Sequence, residues 1–336
     1  MMYPAGDDSL EAFLADLPKT ETHLHIEGAL PFHFVREAYP DRYDKEPASW
    51  APDFRFDSFR QFEVELLEMV AQWFNSPDRY HEAAKEIFEK LYREQHVRYV
   101  ECSFASGVIE YIGGDGAANA EAIKAAAPPG LEVRVFMGLH HVGYNHNTHK
   151  WIDDAVNWAH LDGIDLHGPE DDPVGDWAAD LWARFHATGR RTKAHAGEFC
   201  GPDFVRWAVD TLGTRRIQHG VRAAEDPALP AYLAELGVIL DVCPISNVKL
   251  GVVPSMAQHP LRQLLDAGVL CTISTDDPIS FGNTLRDDYR ALAAELAFTR
   301  PELGRLARNG FQSADLGKGE KQRWLDEIDR VVQAHG

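Results

Sequence analysis

Cysteine is scarce and scattered in this chain: Cys102, Cys200, Cys243 and Cys271 lie far apart and form no Cys-x-x-Cys pair. That pattern supports neither a disulfide framework nor a thiolate zinc knot. The four read as small buried side chains in a reducing compartment, with Cys200 the one placed to lie near a site. Long apolar runs are missing as well, since no stretch approaches the roughly 20 residues that span a bilayer. The start, Met1 to Asp16, carries Asp7, Asp8, Glu11 and Asp16 where a signal peptide has a basic region and an apolar core. Positive charge is in short supply: 33 Lys and Arg against 53 Asp and Glu give a formal net charge of −20 at pH 7. Such a surface does not track nucleic-acid phosphates. These absences leave a soluble cytoplasmic protein, without nucleic-acid or membrane partners, that acts on a small or neutral molecule. They leave a homo-oligomer open.

Apolar runs rich in β-formers alternate with amphipathic stretches along the 336 residues, the pattern of a parallel sheet covered by helices. Candidate strands are Thr20 to His25, Val97 to Phe104, Val133 to Leu139, Gly163 to Leu166, Thr192 to His195, Arg216 to His219, Val238 to Val242 and Leu270 to Ser274. Candidate helices include Asp78 to Gln95, His149 to His160, Pro173 to Thr188, Asp203 to Leu212, Pro227 to Leu236 and Pro260 to Ala267. Eight strands with helical crossovers predict a closed (β/α)₈ TIM barrel, and 336 residues is a normal length for one such domain. The segment from Pro31 to Pro77 is far longer than the usual connection of about 2 to 6 residues. Its helical stretch, Ser58 to Phe74, is either an extra helix packed on the barrel or a lid. An insertion after strand one sits at the C-terminal face, where barrels carry their active sites. Phe59 and Phe62 would then exclude water from an aromatic substrate.

Two histidines one residue apart, His23 and His25, open the chemical inventory. On a strand they share a face, and two imidazoles on one face can share a cation. Three later strands end in similar groups: His195-Ala196-Gly197-Glu198, His219-Gly220 and Thr275-Asp276-Asp277-Pro278. Together they supply three or four nitrogen and oxygen ligands, a spare imidazole and two spare carboxylates. Catalytic zinc sites keep an open position for water, and this inventory fits one. Each residue also has a plainer reading. Glu198 could start a helix, His219 could belong to a turn, and Asp277 could cap a helix that begins at Pro278. Among the other histidines, His146 and His149 read as loop residues, while His140, His141 and His167 follow candidate strands and could line a pocket.

His23-Leu24-His25, His195-Ala196-Gly197-Glu198, His219-Gly220, Cys243-Pro244-Ile245-Ser246-Asn247 and Thr275-Asp276-Asp277-Pro278 resemble, in this order, the motifs of the adenosine and adenine deaminases. The resemblance runs from about Pro18 to Leu316. It implies a zinc-dependent barrel that replaces the 6-amino group of a purine with oxygen and releases ammonia. His23, His25, His195 and Asp276 would hold one zinc ion. Glu198 would protonate N1, His219 would position and deprotonate the water, and Asp277 would orient the attacking oxygen and meet N7. The backbone N–H of Gly168 would meet N3, and Ser246 and Asn247 would shape a loop.

The sequence departs from the family pattern in places. Glu27 stands where adenosine enzymes typically carry an Asp that helps bind ribose, and Glu is more typical of adenine deaminases. Gly168 keeps the nucleoside-type glycine. A nucleoside with an altered ribose or 5′ substituent, such as 6-aminodeoxyfutalosine, reconciles the two, with free adenine as the alternative. Ser103 replaces a common arginine and Ser106 a frequent proline, which bears on packing. A cyclic-amide hydrolase is a further alternative and would need a carbamylated lysine, for which Lys193 is the candidate. A non-catalytic relative would not retain the whole set of ligands and catalytic groups.

Overall fold

The computed structural model describes residues 8–336. Of the acidic start, residues 1–7 lie outside the described residues, and Asp8–Asp16 form a helix. Eight parallel strands follow one another in chain order: β1 (Lys19–His25), β2 (Val97–Ala105), β3 (Glu132–His140), β4 (Gly163–His167), β5 (Arg191–Ala196), β6 (Arg216–His219), β7 (Ile239–Val242) and β8 (Leu270–Ile273). The sheet closes beyond β8, where Leu24 and Asp276 form a parallel bridge. There the Asp276 N–H donates to His23 O at 3.0 Å, and the His25 N–H donates to Asp276 O at 3.2 Å. This is the predicted TIM barrel, and each expected strand is present within a residue or so of its ends.

The period of two along the strands explains how the barrel is filled. In β2, β5 and β6, alternate positions are buried polar residues, Glu101 and Ser103, Lys193 and His195, Arg216 and Gln218. They meet across the interior, as the 2.6 Å contact from Lys193 Nζ to Glu101 Oε2 shows. The intervening residues, among them Val100, Phe104, Ala194 and Ile217, are buried apolar side chains of the core under the helices. A register shift in β1 between Glu21 and Leu24 lets Thr22 reach the interior while His23 and His25 both face the mouth.

The insertion after β1 contains short helices Phe32–Ala38 and Phe59–Val70, and the next helix begins at Pro77. Ser58 caps the second of these, its Oγ accepting from Gln61 N–H at 3.2 Å. That helix is shorter than the expected Ser58 to Phe74, because the chain leaves helical geometry after Val70. Its buried stripe includes Phe62, which stacks on Phe281 at 5.4 Å. Two other expected helices are also trimmed. His149 to His160 stops at Asp154 and continues as a 3-10 turn, Ala155–Asn157. Pro173 to Thr188 is helical only over Trp177–Ala187, after the Gly175 that its N-terminal part cannot bridge.

Several helices escaped the sequence reading. Ser106–Ile112, Gly116–Ala125 and Pro244–Lys249 are short, and their pattern is set by packing on the barrel. The C-terminal Leu285–Leu296, Arg300–Ser313 and Lys318–His335 close its base. Arg300–Ser313 lies so close under β1 that a Cβ at Gly310 would stand 2.0 Å from Thr20 Oγ1, and Asn309 donates to Cys271 O at 2.9 Å. Among the described residues, no helix is long and apolar enough to cross a membrane.

Candidate active site at the mouth of the barrel

His23, His25, His195 and Asp276 converge at the C-terminal ends of β1, β5 and β8. His23 Nε2 lies 3.0 Å from His195 Nε2, and His25 Nε2 lies 3.3 Å from it. Asp276 Oδ1 lies 3.2 Å from His23 Nε2 and 3.3 Å from His25 Nε2. A tetrahedron with arms of about 2.0–2.1 Å, the zinc–nitrogen distance, has edges of about 3.3–3.4 Å. These four contacts match such edges, but the ligand atoms that all lie within 4.8 Å of one another are those of His23, His195, His219 and Asp276, and His25 groups with Asp276 and Asp277. Each imidazole also has a partner for its other nitrogen, as metal-ligating histidines need. Asp241 O is 3.2 Å from His23 Nδ1, Ser103 Oγ is 3.1 Å from His25 Nδ1, and Leu166 O is 3.1 Å from His195 Nδ1.

Adjacent carboxylates on a regular strand would face opposite ways, yet both Asp276 and Asp277 enter the mouth. Asp276 adopts a left-handed backbone, φ 71°, three residues past the end of β8, and this bend turns the next residue inward. Asp277 does occupy the N-cap position of helix Pro278–Phe281, with Pro278 in its first turn, but its side chain makes no cap bond and turns to the mouth instead. Its Oδ1 has no partner among the described residues. Gly28 must be a glycine here, because a Cβ there would fall 1.6 Å from Asp277 Oδ1. Burial, with the Asp276 carboxylate, pushes Asp277 well above the usual carboxylate range against the pull of His25.

Glu198 is not a helix-start residue either, since the helix after it begins at Pro202. It is buried, with Oε1 unpartnered among the described residues and 3.5 Å from His219 Nε2. Burial, reinforced by Asp276, Glu170 and Asp277, raises its carboxyl well above the ordinary range. His219 does sit in a turn, at φ 61° before Gly220 at φ 68°, and the turn aims its ring into the site. Its Nε2 is 3.8 Å from Asp276 Oδ2, whereas the other imidazoles gather at Oδ1. A chain of contacts grips the ring from behind. The Leu261 N–H donates to His259 Nδ1 at 3.2 Å, which leaves the His259 proton on Nε2, 3.2 Å from Asn247 Oδ1. Asn247 thereby turns its Nδ2 to His219 Nδ1 at 3.1 Å, and His219 carries its own proton on Nε2. Ser246, also expected only to shape a loop, donates to Asp276 Oδ2 at 2.7 Å.

The predicted substrate residues Glu27, Gly168, Phe59, Phe62 and Asp277 all line one cleft with His25, His195, Glu198, His219 and Asp276. Glu27 is buried and its Oε1 accepts from the Tyr80 hydroxyl at 2.7 Å and from Ala105 N–H at 3.0 Å. His140 and His167 line the cleft too. His141 points away, its Nδ1 2.9 Å from Asp172 O, and His146 is exposed. Cys200 supports the neighbouring loop, its thiol donating to Glu170 O at 3.3 Å. Lys193 sits below the cluster, 2.6 Å from Glu101 Oε2 and donating to Thr22 O at 2.6 Å. Both contacts occupy the Nζ that a bridging carbamate would need.

Glu170 was not anticipated. Its carboxylate accepts from the backbone N–H groups of Glu198 at 3.0 Å and Phe199 at 2.9 Å, and also from Cys200, and so fixes the loop that carries Glu198. Its only sequence signal is its place two residues after Gly168. Ser103 and Asp241 were likewise missed as partners of His25 and His23, because their strands are distant in sequence.

The adenosine deaminase family pattern matches residues 18–331. The chain belongs to the adenosine deaminase family. It is 35% identical to an adenine deaminase of Sphingopyxis alaskensis over 97% of this chain and 98% of that protein. It is 31% identical to an aminodeoxyfutalosine deaminase of Streptomyces avermitilis over 97% of this chain and 94% of that protein. The solved adenine deaminase of Arthrobacter aurescens superposes with a TM-score of 0.84 at 26% identity, covering 94% of this chain and 99% of that one. The protein is thus a purine aminohydrolase of a metal-dependent family, with a His/Asp cluster that fits a metal.

Proposed function

We propose that this deaminase hydrolyses a 6-aminopurine nucleoside, adenosine-like with an altered ribose or 5′ substituent such as that of 6-aminodeoxyfutalosine, to the 6-oxopurine and ammonia. One zinc ion per chain would be held by His23, His25, His195 and Asp276. The observation that carries the chemistry is Glu198, a buried carboxyl with a free oxygen facing that ligand set across His219. Zinc, when bound, lowers the pKa of a water it holds from about 15.7 to about 7 and so supplies the nucleophile.

The chain's own groups do the rest. Attack at C6 pushes electrons onto N1, and Glu198, its carboxyl raised by burial, delivers its proton there. The carboxylate left behind carries the hydroxyl proton of the attacking oxygen to the 6-amino group, which departs as ammonia as the C6–O double bond forms. His219 holds the attacking water through its Nε2–H. With the proton already on that nitrogen, holding the water suits this ring better than deprotonating it. Asp277, also driven toward its protonated form, donates to N7, and the N–H of Gly168 meets N3. Phe59 and Phe62 cover the purine, and the 31–77 insertion serves as a lid that excludes water.

Supporting a nucleoside is the cleft itself, which runs beyond the reacting groups along helix Phe59–Val70 to Leu67 and Val70. A second reading, free adenine with N9–H on Glu27, is favoured by the adenine deaminases among the relatives and by the place of Glu27 in the cleft lining. Ammonia release from adenine, adenosine, 5′-methylthioadenosine and 6-aminodeoxyfutalosine tests the choice. Turnover of adenine alone would overturn the nucleoside, and turnover of none would overturn the substrate class. Elemental analysis should find about one zinc per chain, and two tightly bound metals would sink the mononuclear site.

A further inference from the structure

Two imidazoles on the cleft wall have no part in the chemistry just described. His140 ends β3, His167 ends β4, and the sheet register sets them side by side. Their ring centroids are 4.7 Å apart at 72°, and His167 also stacks on His25 at 5.5 Å and 20°. His167 is buried, yet its Nε2 has no hydrogen-bond partner among the described residues. The backbone is cut back to seat both rings. A Cβ on Gly138 would stand 2.6 Å from His167 Cε1, and one on Gly168 would stand 2.7 Å from His140 Nδ1. Two glycines thus make room for two polar rings in a wall where apolar side chains would have filled the space.

We propose that His140 and His167 form a specificity subsite that reads the N9 substituent of the substrate by hydrogen bonding to its hydroxyl groups. The proposal rests on the nucleoside reading. In that pose the amino group faces the ligand cluster, N1 faces Glu198 and N7 faces Asp277. The N3 and N9 edge then falls toward Gly168, which is bonded to His167 and packed on His140. At pH 8 an imidazole of ordinary pKa is neutral and offers one N–H and one lone pair. A hydroxyl offers the same pair of functions, so it satisfies the orphaned Nε2 in either direction. A free base presents only N3 and N9–H on that edge and extends no further.

The test uses zinc-loaded enzyme at pH 8 with the nucleoside it turns over best and with adenine. His167→Phe keeps a ring to stack on His25 but removes both nitrogens, and His167→Gln returns a donor and an acceptor. His167→Phe should raise the nucleoside KM about 10-fold, the worth of one neutral hydrogen bond, with little change in kcat. His167→Gln should recover part of that loss, and adenine kcat/KM and zinc content should not move. An unchanged nucleoside KM, an equal loss on adenine, or a loss of zinc would overturn the subsite and leave His167 a prop for His25. A wild-type enzyme that turns over adenine and no nucleoside would overturn the nucleoside reading itself, and the subsite with it.

Discussion

The barrel holds two buried polar clusters, one at its C-terminal mouth and one deeper in the same interior. In the deeper one, Lys193 lies 2.6 Å from Glu101, and Arg216 Nη2 and Nε lie 2.8 and 3.0 Å from the two oxygens of Asp241. The hydroxyls of Thr22 and Thr272 complete Asp241 Oδ1 at 2.9 and 2.7 Å. Two cations face two anions. At the mouth, imidazoles and carboxyls crowd without a lysine or arginine among the cleft-lining residues. Among the described residues, hydrogen-bond capacity is left over in both clusters, at Glu198 Oε1, Asp277 Oδ1 and His167 Nε2 above and at Glu101 Oε2 and Gln218 Oε1 below, but only below do cations face the carboxylates. Burial of charge alone therefore does not mark a site. The compensated cluster holds the barrel together, while the uncompensated one has polar capacity left for a cation and a substrate.

The contrast breaks most sharply at Glu198. Glu198→Gln should lower kcat by at least the 10²- to 10⁴-fold typical of a lost general acid, with zinc content and thermal midpoint nearly unchanged. Near-normal turnover would remove Glu198 from its role. His219→Ala should also keep zinc while crippling turnover, whereas His195→Ala should lose the metal itself; equal zinc contents in the two variants would contradict the ligand assignment.

Arg216→Met makes the opposite experiment in the deeper cluster. It leaves Asp241 buried without its cation and Glu101 with Lys193 alone, which should lower unfolding stability by about 3–5 kcal/mol. The kcat per bound zinc should stay near wild type in protein that remains folded. A specific loss of kcat without loss of stability would erase the distinction between the two clusters.

Their pH responses should run in opposite directions. Burial opposes ionising Glu101, but Arg216 and Lys193 outweigh it and hold its carboxyl down to about 2. A carboxylate depressed in this way contributes stability that is complete above its unfolded value of about 4.3 and is lost as pH falls toward 2. Urea midpoints across that window should fall less steeply in Glu101→Gln. Glu198 is shifted upward by burial, so its active protonated form extends to higher pH than in an ordinary carboxyl and is lost as pH rises through the raised pKa. The kcat profile should therefore fall on the alkaline side, and Glu198→Gln should abolish that limb.

The smallest effect is expected at the rim. Phe59 is half-buried and packs edge-on against Phe199 at 5.2 Å. Phe59→Ala should raise KM several-fold, in keeping with about 1–2 kcal/mol of lost aromatic contact, and barely move the thermal midpoint. A large fall in stability would make the helix Phe59–Val70 part of the core and not a cover.

Much of this was legible before the chain was folded, though unevenly. The eight strands showed through their short β-branched runs, and the ligands and acids showed through their place at the ends of those runs. The C-terminal helices were not visible, because Arg300–Ser313 is defined by what it covers, down to the Gly310 that meets Thr20. Nor were the groups that orient the ligands: Ser103 for His25, Asp241 O for His23, and Glu170 for the Glu198 loop. Their residue types are ordinary, and only contact gives them a task.

The sequence by itself determined the chemistry available at the mouth, since residue type fixes which side chains can bind a cation, carry a proton or contact a purine, and the period of the strands fixes which of them share a face. Tertiary structure decided which ones work together. Closure of the barrel brings Asp276 onto Leu24 across some 250 residues, and the left-handed backbone at Asp276 turns Asp277 inward. His140 and His167 face the cleft, and His141 does not. The strand period already puts adjacent His140 and His141 on different faces; what no local pattern encodes is the meeting of His140 with His167, which arises only when β3 and β4 pair in register.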